Sequence, residues 1–97
     1  MIIRIVRMHF REDSAEKFLT IFDKHKVAIR NVEGCTHLEL LKDINHINVF
    51  TTLSHWEKPA DLEAYRNSAL FKEVWAQVKP LFSESAQAFS LKQFIQK

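Results

Sequence analysis

The amino-acid sequence predicts an α+β fold whose elements follow the order strand, helix, strand, strand, helix, strand. Three observations support this order. Residues 34–56 contain two apolar, β-branched segments joined by a polar turn, which is typical of a hairpin. On each side of this hairpin, apolar residues recur at steps of three and four, the spacing of an amphipathic helix. Both ends of the chain are rich in residues that favour strands.

The first strand is predicted over residues 2–10, and a helix follows it. Asp13 is expected to be the N-cap of this helix, with Glu16 completing a capping box. The helix is expected to run from about Ser14 to Asn31. One of its faces would carry Ala15, Phe18, Phe22, His25 and Ile29.

Gly34 is the only glycine and suits the break between this helix and the hairpin, because glycine accepts a positive φ. If the turn 43–46 centres on Ile44 and Asn45, position 37 faces 52 and position 40 faces 49. The hairpin face that helices would cover then carries Leu38, Leu40, Val49, Thr51 and Leu53. The other, mixed face carries His37, Glu39, Leu41, Phe50, Thr52, Ser54 and Trp56.

The second half begins with Pro59, which suits the first turn of a helix because its missing N–H costs nothing there. A short helix is predicted over 59–66, and Ser68 is expected to cap a second one that ends at Pro80 and the 83–85 cluster. The apolar residues of the second helix are Leu70, Phe71, Val74, Trp75 and Val78. The last strand is predicted over 86–95, with Phe89, Leu91 and Ile95 on one face.

This order is that of the ferredoxin-like fold, an antiparallel sheet with both helices on one face, here in a single domain spanning 1–97. The other sheet face would be uncovered. The side chains predicted for that face are Val6, Met8, Leu41, Phe50, Trp56 and Phe94. Because exposed aromatic surface favours association, a homodimer is expected in which a second copy covers it.

Charge and composition narrow the functional classes. The formal net charge is +2, and the charged residues are interspersed rather than clustered. We therefore expect no nucleic-acid or membrane partner. Cys35 is the only cysteine, which excludes an internal disulfide. The first residues lack the unbroken apolar stretch of a signal peptide, so a soluble, cytoplasmic protein is expected.

Three segments resemble the antibiotic biosynthesis monooxygenase (ABM) domains of the dimeric α+β barrel superfamily. They are RIVRMHF, NVEGCTHLELLKD and TTLSHWEKPADLEAYRNSALFKEVW, which together extend over most of the chain. The most specific piece has the form W-E-x-x-x-x-L-x-x-Y-x-x-S. The resemblance implies a dimer with back-to-back sheets, and one small-molecule pocket per subunit between the uncovered sheet face and the helices of residues 59–82.

The resemblance also bears on activity. For family members that oxidise polyphenols without metal or flavin, the resemblance implies that an Asn and a Trp, four residues apart on the third strand, carry the activity. Trp56 matches the Trp, and Thr52 stands in place of the Asn. In haem-degrading members it implies an Asn, a Trp and a His, and here Val6 and Trp75 replace the Asn and the His. Haem degradation is therefore not expected.

Trp56 and His37 are the candidate catalytic residues. Trp56 would stack on a planar ligand, and His37, beside Glu39, would deprotonate a phenol. The alternatives are that Trp56 only packs and that His37 pairs with Glu39 in the dimer interface. Arg4 is interpreted as a solvated edge residue, with neutralisation of a carboxylate or phenolate as the alternative. The candidate ligand-pocket residues are Val6, Met8, Glu39, Phe50, Thr52, Tyr65, Phe71 and Trp75.

No metal and no cofactor is expected. His37 and Glu39 lack a third ligand at a fixed spacing. A single glycine is incompatible with a Gly-rich phosphate loop for a nucleotide, flavin or nicotinamide.

Three functions remain open. The first is a cofactor-independent monooxygenase acting on a small aromatic substrate such as a quinol or a polyphenol. The second is a non-catalytic small-molecule-binding dimer, or an enzyme of another class, such as an isomerase, that uses the same cavity. The third is a structural dimerisation module whose aromatic side chains fill the pocket themselves; these are Phe50, Trp56, Phe71 and Trp75.

Overall fold

The computed structural model describes residues 1–96, which form the predicted succession of strands and helices. The strands are β1 (Ile2–Phe10), β2 (Cys35–Lys42), β3 (Val49–Trp56) and β4 (Phe82–Leu91). The helices are α1 (Ala15–Arg30), α2 (Pro59–Arg66) and α3 (Ala69–Val78), and a 3₁₀ turn (Lys79–Leu81) joins α3 to β4. The predicted α+β, ferredoxin-like class is confirmed.

The four strands form one antiparallel sheet in the order β2-β3-β1-β4. β1 lies in the middle, so that Val6 is opposite Thr52 on one side and Ala88 on the other. The main core joins this sheet to α1, α3 and the 3₁₀ turn. Its buried members are Met8, Phe10, Phe18, Phe50, Val78 and Leu81.

Helix α1 has the predicted buried face but not the predicted cap. Phe18, His25 and Ile29 are buried, as their spacing indicated. The N-cap is Ser14 rather than Asp13, and its side chain accepts no helix N–H. Its φ of −112° and ψ of −10° are near helical, whereas a capping side chain needs an extended residue. The Ser14 hydroxyl instead lies 3.2 Å from the Asp13 carboxylate and donates to it.

Gly34 has the positive φ, +85°, that its position predicted. A Cβ at this position would collide with the side chain of Asp61 in α2. The Gly34 carbonyl also accepts a 2.8 Å hydrogen bond from the Glu57 N–H. This single glycine therefore allows the chain to leave α1 and pass closely beside the start of α2.

The predicted register of the β2–β3 hairpin is wrong. Leu40 is opposite Thr52 rather than Val49, a difference of three positions. The loop runs over residues 43–48 instead of 43–46. Asp43 extends it, because its carboxylate accepts the backbone N–H groups of Asn45 at 2.8 Å and His46 at 2.9 Å.

Because side chains alternate along a strand, an odd shift exchanges the two faces of one strand relative to its partner. The helix-covered face of the hairpin therefore carries Leu38, Leu40, Phe50, Thr52, Ser54 and Trp56. The opposite face carries His37, Glu39, Leu41, Val49, Thr51, Leu53 and His55. The prediction that His37 and Glu39 share a face with Trp56 is wrong for this reason.

The uncovered side of the sheet also has a different composition from the predicted one. Four of the residues predicted there, Val6, Met8, Phe50 and Trp56, lie beneath the helices. Phe94 lies beyond β4 and is 88% exposed. On the uncovered side, which we call the open sheet face, the apolar side chains that are not buried are Ile3, Ile5, Leu41, Leu53, Phe89 and Leu91.

Strand β4 begins and ends four residues earlier than predicted, at Phe82 and Leu91. The polar cluster 83–85, expected to end the preceding helix, belongs to the strand. The 3₁₀ turn that contains Pro80 ends the helix, and the chain enters the sheet directly after it. Ser83 is held there by donating a 3.2 Å hydrogen bond to the His9 carbonyl. Ile95 lies outside the strand.

Candidate functional site

A cavity of about 350 Å³ lies between the helix-covered face of the sheet and the helices. The sheet contributes Arg4, Val6, Met8, Leu38, Thr52, Ser54, Trp56, Ala86 and Ala88 to its wall. The helices contribute Phe18, Phe22, Ile29, Leu62, Tyr65, Arg66, Phe71, Val74, Trp75 and Val78. Its volume falls in the range of small-molecule sites, about 300–1,000 Å³. The aromatic side chains thus line a space rather than fill it, contrary to the expectation for a purely structural module.

Four aromatic side chains follow one another along this cavity, and we call them the aromatic row. Trp56 and Tyr65 are stacked with ring centroids 5.1 Å apart, and the edge of Tyr65 meets Phe71 at 5.2 Å. Phe71 and Trp75 are nearly parallel, at 9° and 5.9 Å. Rings in such contact hold one another in fixed orientations, so the cavity offers flat faces to a planar ligand.

Trp56 has its polar group satisfied within the protein. Its side chain is buried, and the indole N–H donates a 2.9 Å hydrogen bond to the Ser54 hydroxyl. The two residues are two positions apart on β3 and therefore lie on the same face. The hydrogen bond fixes the indole plane, so that Trp56 is a rigid wall rather than a hydrogen-bond donor to a ligand.

Tyr65 keeps its proton at neutral pH. Burial raises the pKa of its phenol to about 12, and the nearby Cys35 thiol contributes in the same direction. A phenol that remains neutral is a hydrogen-bond donor. Tyr65 therefore supplies the cavity with a donor and not with a base.

Arg4 and Arg66 are the charged residues of the cavity wall. The Arg4 guanidinium donates a 2.8 Å hydrogen bond to Ser90, and Arg66 lies 3.3 Å from the Glu63 carboxylate. Burial lowers the pKa of Arg4, and the positive charge of Arg66 lowers it further. The wall contains neither a carboxylate nor an imidazole among the residues described. The cavity therefore favours a negatively charged ligand group.

His37 and Glu39 lie away from this cavity, on the other side of the sheet. The His37 imidazole is 3.1 Å from the Glu39 carboxylate, and its ring centroid is 4.9 Å from that of His55. Glu39 instead borders a more open groove between α1 and β2. The base predicted from the sequence is thus separated from Trp56 by the sheet itself.

The other candidate pocket residues divide into two groups. Those that line the cavity are Val6, Met8, Thr52, Tyr65, Phe71 and Trp75. Phe50 does not, because it packs in the core 5.8 Å from Phe18. The wall also includes residues that were not among the candidates, and Ser54, Leu62 and Arg66 are three of them. Spacing could have found them, since Ser54 is two residues before Trp56 on a strand and Arg66 is four after Leu62 on a helix.

In residues 1–96, no three His, Cys, Asp or Glu side chains are grouped closely enough to hold a metal ion. Cys35 is buried, and burial raises the pKa of its thiol. A thiol of that kind is a poor metal ligand and a poor nucleophile.

Among residues 1–96, no helix has the length and apolar character needed to cross a bilayer.

Comparison with known proteins agrees with the architecture. The family model of the antibiotic biosynthesis monooxygenases (ABM) matches residues 1–77. A conserved protein from Methanosarcina mazei Go1 has a similar structure, with a TM-score of 0.90, 16% identity and coverage of 97% of this chain and 94% of that one. No curated protein sequence matches the chain.

Two similar structures are candidate antibiotic biosynthesis monooxygenases. The one from Nitrosomonas europaea has a TM-score of 0.89 and 15% identity, covering 98% of this chain and 100% of that one. The one from Bordetella bronchiseptica has a TM-score of 0.86 and 20% identity, covering 97% of both chains. At such identities these likenesses show a shared fold and do not transfer an activity.

Proposed function

Because the chain belongs to the antibiotic biosynthesis monooxygenase family, we propose that it is a monooxygenase that needs no cofactor. Its substrate would be a small aromatic molecule of the quinol or polyphenol type. The observation that carries this proposal is the 350 Å³ cavity with the aromatic row along its wall. Such a cavity would hold a planar, electron-rich ring against fixed aromatic faces and away from water.

The reaction needs no reductant besides the substrate. The phenol first releases its proton to solvent water, because the wall described carries no base, and the phenolate then transfers one electron to O₂. The superoxide that forms couples with the phenoxyl radical to give a C–O bond on a ring carbon that carries hydrogen. Protonation of the peroxide and loss of that ring hydrogen as a proton break the O–O bond and release water. A phenol and O₂ thus become a quinone and water, and the substrate supplies all four electrons that O₂ accepts.

The protein would act on this reaction through binding and exclusion of water. Trp56, which is 1% exposed, would hold Tyr65 in place through their stacked contact, and the neutral Tyr65 hydroxyl would donate a hydrogen bond to a substrate oxygen. The apolar wall, which includes Val6, Met8 and Leu62, would keep bulk water from the radical pair. The arginines would stabilise the substrate anion and the superoxide that forms from O₂.

We also propose that the protein is a homodimer in which the open sheet face of each subunit covers that of the other. Phe89 and Leu91 are about half exposed there, at 50% and 48%. Apolar side chains so placed on one side of a sheet are typical of an interface. Cys35 is the only cysteine and forms no internal disulfide, and we propose a cytoplasmic location, where thiols stay reduced.

Oxygen uptake tests the proposed activity. The protein, purified in the presence of a chelator, is mixed with a panel of quinols, naphthols and polyphenols in an oxygen electrode. We expect uptake above the autoxidation measured without protein, and at least a tenfold loss in Trp56→Leu. The matched control is Phe94→Leu, which removes an aromatic ring 88% exposed and outside the cavity. A trace equal to autoxidation across the panel would contradict the proposal.

A second candidate is a binding protein that uses the cavity without oxidation. The specific observation in its favour is that Thr52 lies on the cavity wall where the family resemblance implies an Asn, and that the wall described here carries no base. This function predicts that ligands raise the melting temperature while oxygen uptake stays at the autoxidation rate. The same panel, measured by both methods, separates the two functions.

A further inference from the structure

We propose that the cavity takes an aromatic carboxylate, with the carboxylate bound between Arg4 and Arg66 and the ring lying along the aromatic row. This proposal deepens the proposed function by naming the substrate class. It concerns binding, however, and it is tested without any oxidation. Four features of the cavity carry it.

The first feature is the charge of the wall. Two of its side chains are guanidinium groups, and none of its described side chains is an acid. The Glu63 carboxylate that contacts Arg66 is largely exposed on α2 and does not line the cavity. Arg66, at the exposed rim of the cavity, is paired with Glu63, whereas Arg4 has no acidic partner among the described residues, so the charge of the wall is positive at this end.

The second feature is the environment of Arg4. It lies on the helix-covered face of β1, beside Ser54 on one neighbouring strand and Ser90 on the other. Its hydrogen-bond partner is the neutral Ser90 hydroxyl, and no carboxylate in residues 1–96 forms an ion pair with it. Partial burial and the neighbouring Arg66 lower the pKa of Arg4 and so disfavour its charged form, and the Glu63 carboxylate offsets only part of this. A bound anion would remove that penalty, and a carboxylate fits the fork of a guanidinium.

The third feature is the change of polarity along the cavity. Arg4, Val6 and Met8 follow one another on the same face of β1, and four residues of strand span about 13 Å. The cavity is thus charged near Arg4 and apolar near Met8, which packs with Val78 in the main core. A ligand with a charged group at one end and a flat apolar body of one or two fused rings matches this order.

The fourth feature selects a carboxylate over a phenol as the charged group. A phenol titrates near pH 10 and a carboxylic acid near pH 4, so only the second is ionised at neutral pH without help. The wall described has no carboxylate, imidazole or amine that would take a proton, and the phenol of Tyr65 keeps its own. The anion that the arginines bind therefore has to arrive already ionised.

The test is a pair of probes of the same shape and different charge. Binding of 2-naphthoate and of the neutral 2-naphthamide is measured by isothermal titration calorimetry at neutral pH. We expect naphthoate to bind at least about tenfold more tightly, which is the effect of a single hydrogen bond to a charged group. Arg4→Gln and Arg66→Gln are each expected to weaken naphthoate binding about five- to tenfold, while naphthamide binding stays within twofold.

The control variant is Lys72→Gln, which removes the same charge from an exposed position on α3 outside the cavity. It should leave naphthoate binding within twofold. Unaltered naphthamide binding shows that the arginine variants are folded. Equal binding of the two probes, no binding of either, or the same loss in Lys72→Gln as in Arg4→Gln would each overturn the proposal.

Failure of this proposal differs from failure of the proposed function. Selective binding of naphthoate, with no oxygen uptake from hydroxylated naphthoates, would leave the carboxylate site standing and contradict the monooxygenase. Oxygen uptake from uncharged quinols, with no preference of the protein for naphthoate over naphthamide, would support the monooxygenase and contradict the carboxylate site.

Discussion

Tyr65 illustrates how burial decides what a single side chain can do in this cavity. Its ring lies between Trp56 and Phe71, and removal of water from its phenol raises the pKa to about 12 from the ordinary value of 10. An ionised oxygen in that position would lose its hydration without gaining a cation of its own. Tyr65 is thus a hydrogen-bond donor over the whole physiological pH range.

This shift makes the stability of the protein depend on alkaline pH. Between pH 10 and 12 the unfolded chain releases the phenol proton while the folded protein retains it, so the free energy of unfolding falls as the pH rises. The loss from this group is about 1.4 kcal/mol per pH unit and roughly 2–3 kcal/mol in total. In Tyr65→Phe this part of the decrease should be absent, which urea unfolding at several pH values would show.

Tyr65 is also the only tyrosine in the chain, so its ionisation can be followed directly by tyrosinate absorbance. We expect a midpoint near 12 in the native protein and near 10 in urea. A native midpoint at 10 would mean that the phenol is open to solvent and would contradict the described packing.

Ser54 and Arg66 show why the sequence predicted only part of the site at the level of residues. The aromatic members were predictable because a ring beside a helix start or on an amphipathic face points to a core or a cavity. Serine and arginine are common at exposed positions, so nothing in their identity marks them. Their roles depend on which strand and helix faces meet, and that is a property of the whole fold.

Among the elements, α3 depends on a local cap that the sequence predicted correctly. Ser68 is extended, and its hydroxyl accepts a 3.1 Å hydrogen bond from the Phe71 N–H. The capped turn positions Phe71 and Trp75, two members of the aromatic row. The success is physical, because the interaction joins residues three apart and needs no information from the rest of the fold.

Ser68→Ala should therefore lower the free energy of unfolding by about 1 kcal/mol. It should also weaken binding of an aromatic ligand, because the first turn of α3 would fray. Ser68→Thr, which keeps a hydroxyl that accepts from the Phe71 N–H and donates to the Tyr65 carbonyl, is the matched control and should restore most of both losses. The measurements are urea unfolding and calorimetry with 2-naphthoate; equal values for Ser68→Ala and the unaltered protein would exclude a role of the cap.

For the β2–β3 hairpin, by contrast, the sequence pattern predicted the wrong register. Both faces of this hairpin contain apolar residues, with Leu38 and Leu40 on one and Leu41 and Leu53 on the other. Alternation alone could not decide which face is covered, so the prediction depended on the turn. The length of that turn is set by the Asp43 carboxylate, which accepts hydrogen bonds from two backbone N–H groups and so lengthens the loop.

At the scale of the whole molecule, the open sheet face is the surface whose partner matters most. The sheet carries helices on one side, and on the other it presents isoleucine, leucine and phenylalanine side chains to solvent. Burying a few hundred Å² of such surface contributes several kcal/mol at about 25 cal/mol per Å². A second copy of the chain offers the same apolar face, and two such faces in contact cover each other.

We therefore expect that Phe89→Lys makes the protein monomeric, because it places a charge within the apolar surface, opposite Ile5 of the neighbouring strand. Phe94→Lys introduces the same charge at an exposed position beyond β4 and is the matched control. Light scattering coupled to size exclusion should give twice the chain mass for the unaltered protein and for Phe94→Lys, and the single chain mass for Phe89→Lys. A monomeric unaltered protein would contradict the proposed dimer.

Because the cavity lies on the other side of the sheet, the Phe89→Lys monomer should still bind 2-naphthoate. Loss of binding in a folded monomer would show that the second subunit supports the site.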